Sequence, residues 1–286
     1  MDPLTFFVLV LLAGVLAGAL GSLLGIGGGI IIIPTLTLVA GVDIRYAMGA
    51  SLVAVIATSS GAAATYVREH MSNLRLAMFL ELATTTGAVG GAVLAGMLPA
   101  SLLSLILGLA LAHSAWSSLH SPVSDVPPLG RGSPAAERLG LQGAYVDPAT
   151  GRTVQYQVTR VPQGFAMMGL AGLLSGLLGI GSGIFKVIAM DRIMRAPLKA
   201  STATSNFMIG VTAAASAGAY FARGEIHPFI AAPVALGVLA GTAVGTRLLA
   251  RLHSRAIARV FVVLLAVVAV QMIRRGILGL MHGGWQ

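Results

Sequence analysis

The sequence predicts an all-α, polytopic integral membrane protein made of two homologous halves. Three observations carry that prediction. Of 286 residues, 56% are apolar and only 9% are charged. Apolar runs long enough to cross a bilayer recur along the chain. A set of residues in the first half returns without a gap 154 positions later, Gly25 as Gly179. A soluble domain carries about 25% charged residues, so this composition excludes an ordinary soluble fold and a disordered one. The absence of cysteine excludes disulfides, thiolate metal sites and a cysteine nucleophile. The net charge is +9. Membrane proteins keep Lys and Arg in cytoplasmic loops, and here the arginines lie between apolar runs rather than in one basic stripe, which excludes nucleic acid as the partner.

A span needs about 20 predominantly apolar residues. Such runs cover 4–24, 47–66, 76–97, 101–119, 164–182, 203–222, 228–249 and 256–273, about four to each half. Shorter apolar pieces, 30–41 and 184–190, follow the first and fifth runs. The first run has no basic segment ahead of it and is too long for a cleaved leader, so it is expected to stay as a span. Residues 1–119 form the first membrane repeat and 164–286 the second. Between them, 120–163 is a polar linker: Ser121-Pro122, Pro127-Pro128, Gly130, Gly132 and Pro134 break any helix. Two alternating stretches, 144–146 and 153–158, flank a turn-rich pentapeptide and predict a small extramembrane β-hairpin.

The repeat is carried by register. Gly25-Ile26-Gly27-Gly28-Gly29-Ile30 matches Gly179-Ile180-Gly181-Ser182-Gly183-Ile184. The same offset pairs Ser51 with Ser205, Thr58 with Thr212, Tyr66 with Tyr220, Gly87 with Gly241 and Gly91 with Gly245. Fused repeats with broken helices are a recurring architecture of secondary transporters. Glycines inside an apolar run interrupt the helix, and the freed backbone groups must be buried in protein or line a wet cavity.

Leu23-Leu24-Gly25-Ile26-Gly27-Gly28-Gly29 followed by Pro34, then Gly49-Ala50-Ser51-Leu52, resembles the sulfite exporter TauE/SafE family. The second copy, Gly176-Leu177-Leu178-Gly179-Ile180-Gly181-Ser182-Gly183 with Ala203-Thr204-Ser205-Asn206, resembles it as well. The resemblance covers both membrane halves. It implies transport of small anions, with sulfite, sulfoacetate and other sulfonates as substrates. The second copy departs from the pattern in having Ser182 for a glycine, Ile188 where the first has Pro34, and an added Lys186.

Two topologies compete. If every long run spans, the halves are parallel and the sixteen loop arginines and lysines divide seven to nine. If runs one and five turn at the glycine break and return to the same side, the halves are inverted and the division is twelve to four. The positive-inside rule favours the inverted arrangement, with both termini outside and the linker 120–163 cytoplasmic. A bacterial inner membrane is the expected location.

The function expected is a multi-pass transporter, an exporter of small sulfur-containing anions working by alternating access. The helix restarting near Ile30, and its twin near Ile184, would present free N–H groups and a partial positive charge to an anion. Candidate substrate-binding residues are Gly25, Gly27, Gly28, Gly29 and Ser51 in the first half. In the second they are Gly179, Gly181, Ser182, Gly183, Lys186, Thr204, Ser205 and Asn206. Against these stand structural readings: close helix packing for the glycines, interhelical hydrogen bonds for the hydroxyls, and a snorkelling lysine near the interface for Lys186. Glu81, the one acid well inside a run, and His113, a residue type suited to carrying a proton, are candidates for proton coupling. Gly14…Gly18, Gly87…Gly91 and Gly237…Gly241…Gly245 read as packing glycines. Neither a P-loop, a dinucleotide fingerprint nor a His-Glu-x-x-His cluster is present, so no cofactor, metal or catalytic residue is expected and the chain does not read as an enzyme. Expected partners are the small anion, the lipid bilayer and, in a homodimer, a second copy. The alternatives are a passive anion channel, a transporter of another small organic anion, and a membrane subunit that docks a partner through the hairpin.

Overall fold

Each long apolar run folds as a helix. The computed structural model describes residues 2–24, 27–68, 70–119, 133–146, 152–249 and 254–281. The first half holds α1 (Pro3–Leu24), the short α2 (Gly29–Pro34), α3 (Ile44–Arg68), α4 (Leu74–Met97) and α5 (Ala100–Leu119). A short α6 (Pro134–Leu139) and a hairpin of β1 (Gly143–Val146) and β2 (Thr153–Tyr156) precede the second half. That half holds α7 (Val161–Leu178), the short α8 (Gly183–Ile188), α9 (Leu198–Ala222), α10 (Pro228–Leu249) and α11 (Ser254–Met281). Among the described residues, five helices are long and apolar enough to cross a membrane: α1, α3, α4, α5 and α7. α9 is as long as α3 but buries Thr204, Ser205, Asn206, Thr212 and Ser216 along its length, which lowers its hydropathy without exposing those groups.

The 154-residue offset holds for element boundaries as well as for residues. α2 begins at Gly29 and α8 at Gly183; α3 covers Ile44–Arg68 and α9 Leu198–Ala222. Each short helix runs on into a π-helical turn, Thr35–Val39 in one half and Ala189–Ile193 in the other. The wide turns close through Ala40 N–H to Thr35 O and Met194 N–H to Ala189 O, both five residues back. Pro34 precedes the first turn and Ile188 the second, so the proline is not what makes the turn.

The helices sort into two groups by direction. α10 runs parallel to α1, with Gly237 on the Leu11 carbonyl and Gly241 on that of Val15, and parallel to α3, with Gly49 on Glu225 and Gly61 on Thr242. α7 runs parallel to α4, with Gly87 on the Gly169 carbonyl and Gly91 on that of Leu173. α9 is also parallel to α4, since Asn73 N–H bonds Thr204, Glu81 meets Thr212 and Arg223 reaches the Ala92 carbonyl. α3 and α9 cross antiparallel, Ser59 meeting Asn206 while Met48 meets Tyr220. So α1, α3 and α10 point one way and α4, α7 and α9 the other. The first helices of the two halves therefore run in opposite senses. The contacts are reciprocal too: a Cβ at Gly18 would strike Val238, and one at Gly172 would strike Thr84, which is 154 residues before Val238. Close approach at these glycines supplies packing that lipid-facing helices lack a hydrophobic drive to make. α5 and α11 pair antiparallel through Gly108 on Ile273 and Gly276 on Leu105.

The linker is more structured than a tether. The hairpin pairs antiparallel, Gly143 opposite Tyr156 and Val146 opposite Thr153. β2 stops at Tyr156, short of the 153–158 stretch, because Val158 turns away and accepts a hydrogen bond from Ser133 N–H at 3.3 Å. Tyr145, Tyr156, Val158, Leu141 and Ala136 form one apolar cluster with Leu76, Ala77 and Leu80 of α4, Val161 and Met168 of α7, and Met190 and Met194. Asn73, the N-cap of α4, donates to Leu141 O at 3.0 Å and to the Tyr156 hydroxyl at 3.1 Å. The linker thus caps the end of the molecule where α4, α7 and α9 begin. α7 starts at Val161, three residues before the predicted 164, because Pro162 suits the first helical turn, where a missing N–H costs nothing.

Candidate functional site

The two glycine turns meet at the crossing of α3 and α9. Gly27 and Gly28 have φ of 80° and 67°, Gly181 and Ser182 of 73° and 47°. These left-handed angles fold each chain back on itself, and Gly28 comes to lie against the Ala17 carbonyl of α1. A Cβ at Gly27 would meet Ile209 Cγ2 at 3.1 Å and Val55 Cγ1 at 3.2 Å; one at Gly181 would meet the same two atoms at 2.8 Å each. Val55 and Ile209 are themselves offset partners, one near the middle of each helix. Both turns therefore close on a single apolar pair at the centre of the molecule. Gly29 lies against Ser51 and Val55, and a Cβ there would be 3.3 Å from Ile180 Cα of the other turn. Gly25 lies outside the described residues.

Hydroxyls fasten these turns. Ser51 Oγ donates to Gly179 O at 2.6 Å, reaching from one half into the other. Ser205 Oγ donates to Gly183 O at 3.3 Å. Thr204 is elsewhere: its Oγ1 accepts from Asn73 N–H at 3.0 Å, at the start of α4. Asn206 donates from its amide to Thr202 O at 3.2 Å, its main-chain carbonyl accepts from Ser59, and its Oδ1 is buried without a partner. Ser182 Oγ, on the left-handed residue that opens α8, is likewise buried and unpartnered.

Lys186 stands four residues past Ser182 and is wholly buried. It does not snorkel. Its Nζ donates to Thr212 Oγ1 and lies 3.9 Å from Glu81 Oε2. Thr212 donates in turn to Glu81 Oε1 at 2.6 Å, and Thr85 donates to the same oxygen at 3.0 Å. Glu81 is 7% exposed, and its Oε2 has no hydrogen-bond partner. Three elements, α4, α8 and α9, thus gather an acid, a cation and a hydroxyl relay from both halves. Sequence reasoning singled out Lys186 and Glu81 separately but missed Thr212 and Thr85 as their connectors. The pairing of Thr58 with Thr212 was the available signal. His113 stays apart, exposed on α5 with its ring stacked on Phe185 at 5.9 Å. At the opposite end of α9, Tyr220 donates to Gly176 O at 3.0 Å, and Arg223 lies over its ring and bonds Glu225 at 2.7 Å. Among the described residues, no group of three or more His, Asp or Glu side chains gathers as metal ligands.

A family model described as sulfite exporter TauE/SafE matches residues 10–272. A probable membrane transporter protein of Bacillus subtilis, YunE, is 25% identical over 95% of this chain and 98% of its own length. A probable membrane transporter protein of a Sinorhizobium species, ORF9, is 26% identical over 86% of this chain and 85% of its own. No solved structure matches significantly.

Proposed function

The chain belongs to the sulfite exporter TauE/SafE family and is a membrane transporter, and from that premise we propose that it exports small sulfur oxyanions, sulfite or organosulfonates, by alternating access around the two glycine turns. The observation that carries this reading is the meeting of both turns on Val55 and Ile209. Non-helical backbone at membrane depth is tolerated where it lines a substrate path, and here two such breaks share one apolar gate. Ser51, Ser205 and the unpartnered Ser182 Oγ and Asn206 Oδ1 supply hydrogen-bonding groups around it. Rocking of α1, α3 and α10 against α4, α7 and α9 would open the gate to one side at a time. In the inverted arrangement twelve of the sixteen loop cations share the side of the linker, and the positive-inside rule supports a cytoplasmic linker. The outward anion gradient drives the cycle.

The test is ligand-dependent stability followed by exchange. Purified protein is heated with sulfite, sulfoacetate, taurine, thiosulfate, sulfate, lactate or chloride. A sulfur oxyanion at a hundred times its Kd should stabilise by about 2.7 kcal/mol and should exchange across proteoliposomes. Gly181→Val, which fills the gate, should abolish exchange. Absence of both stabilisation and exchange with every sulfur oxyanion would overturn the substrate assignment.

A further inference from the structure

We infer that Glu81 and the transported anion compete for Lys186, so that each anion is bound together with one proton. The inference rests on the anion-transport reading above and specifies its coupling. Three features of the buried cluster carry it. The lysine is wholly buried, and the one carboxylate set against it belongs to the other half of the chain. A charged lysine in that position is costly without a counter-charge. The carboxylate is asymmetrically held: Oε1 accepts from Thr212 and Thr85, while Oε2, the oxygen nearest Lys186 Nζ, has no hydrogen bond. Oε2 is therefore the atom free to take a proton. Finally, Ser182 Oγ is buried without a partner at the opening of the short helix that carries Lys186, a donor with nothing yet to donate to.

These features make an exchange site. With no substrate bound, ionised Glu81 balances Lys186. When Oε2 is protonated, Glu81 becomes neutral and Thr212 still joins the two side chains. Lys186 then lacks a counter-ion, and an oxyanion takes the vacated place. Release of the anion leaves the ammonium uncompensated until Glu81 gives up its proton and the pair re-forms. Anion and proton thus enter and leave together, and a monovalent anion crosses with no net charge. The other titratable groups on the surrounding elements are Arg75 on α4, Lys199 and Tyr220 on α9, Asp191 and Arg192 in the turn after α8, and His113 on α5. α7 carries none. His113, which stacks on the neighbour of Lys186, is the competing proton carrier to exclude.

The experiment measures anion Kd against pH, from about pH 5 to 9, with methanesulfonate, sulfate, chloride and lactate, which stay ionised across most of that range. Uptake of one proton per anion predicts that Kd falls about tenfold for each unit of acidification in the wild type. Glu81→Gln combined with Lys186→Arg, whose guanidinium stays charged at every pH tested, should bind anions with no pH dependence, and His113→Gln should keep the wild-type slope. Should that variant fail to fold, the double variant Glu81→Gln, Lys186→Gln removes both charges; it should fold and bind no anion. The inference is overturned by a flat wild-type Kd, by a slope that survives Glu81→Gln with Lys186→Arg, by a slope lost in His113→Gln, or by wild-type affinity in the chargeless double variant. A slope seen with chloride or lactate but with no sulfur oxyanion bound would sink the substrate assignment and leave the coupling standing. Failure of every anion to bind at any pH overturns both.

Discussion

The two halves share a framework and differ in chemistry. Around the first glycine turn, the residues 154 positions before Ser182, Lys186 and Thr212 are Gly28, Ile32 and Thr58. Ile32 is buried as deeply as Lys186, and Thr58 donates to its own helix at Ala54 O, 2.8 Å away. The position matching Glu81 is Ala235. Ile32 thus leaves the first turn without the charge that Lys186 sets beside the second, although the backbones carry similar left-handed angles and the same π turn. The two ends differ likewise. The linker covers the end where α4, α7 and α9 begin, while at the opposite end α1, α2 and the following π turn leave an apolar groove lined by Leu4, Val8, Leu12, Ile31 and Thr35. Backbone geometry is common to both turns; the buried charge lies beside one of them.

Substitutions in three places would break or sharpen that comparison, and the largest effect is expected at the ion pair. Lys186→Met leaves Glu81 buried without its cation and should cost about 3–5 kcal/mol. Adding Glu81→Gln should restore most of it, and Ile32→Met at the matching position should cost less than about 1.5 kcal/mol. Thermal unfolding in detergent gives all three values. Equal losses at residues 186 and 32 would show that the charge contributes nothing the framework does not.

The next effect is at the left-handed positions. Gly28→Ser puts a Cβ at φ 67°, 2.8 Å from the Ala17 carbonyl, and should cost about 1–2 kcal/mol. Ser182→Gly should recover about that amount, because Ser182 already bears the same strain at φ 47°. A loss on Ser182→Gly would mean that its hydroxyl has a partner in solution.

The smallest is in the cap. Burial raises the Tyr156 phenol above its usual value, against the hydrogen bond from Asn73. The folded cap therefore holds its proton where the unfolded chain loses it, so its stability is complete below about pH 10 and falls as pH rises beyond that. Tyr156→Phe should remove that alkaline loss and cost about 1 kcal/mol at neutral pH. Proteolysis of the linker against pH reads both effects.

Much of the fold was legible because it is local or periodic. The glycine breaks, the hairpin and the 154-residue register were all readable from spacing. α2 and α8 begin within a residue of the expected restarts, at Gly29 and Gly183. Long-range pairing was not legible. Ser51 and Gly179 are far apart in sequence, and nothing local says that one fastens the other. Thr204 and Ser205 are neighbours, yet helical geometry turns them to different faces, one toward Asn73 and the other toward Gly183. Lys186 was conspicuous as a buried charge, and Glu81 was too. That they belong to one cluster follows only from the parallel packing of α9 on α4, which no single-sequence pattern encodes.

The ion pair between α4 and α8 has one more consequence. A molecule assembled from two first halves would bury two carboxylates with no cation between them. One assembled from two second halves would bury two ammoniums. Each half supplies the counter-charge that the other lacks, so the halves are obligate complements, and neither can be copied to replace its mate despite their common framework.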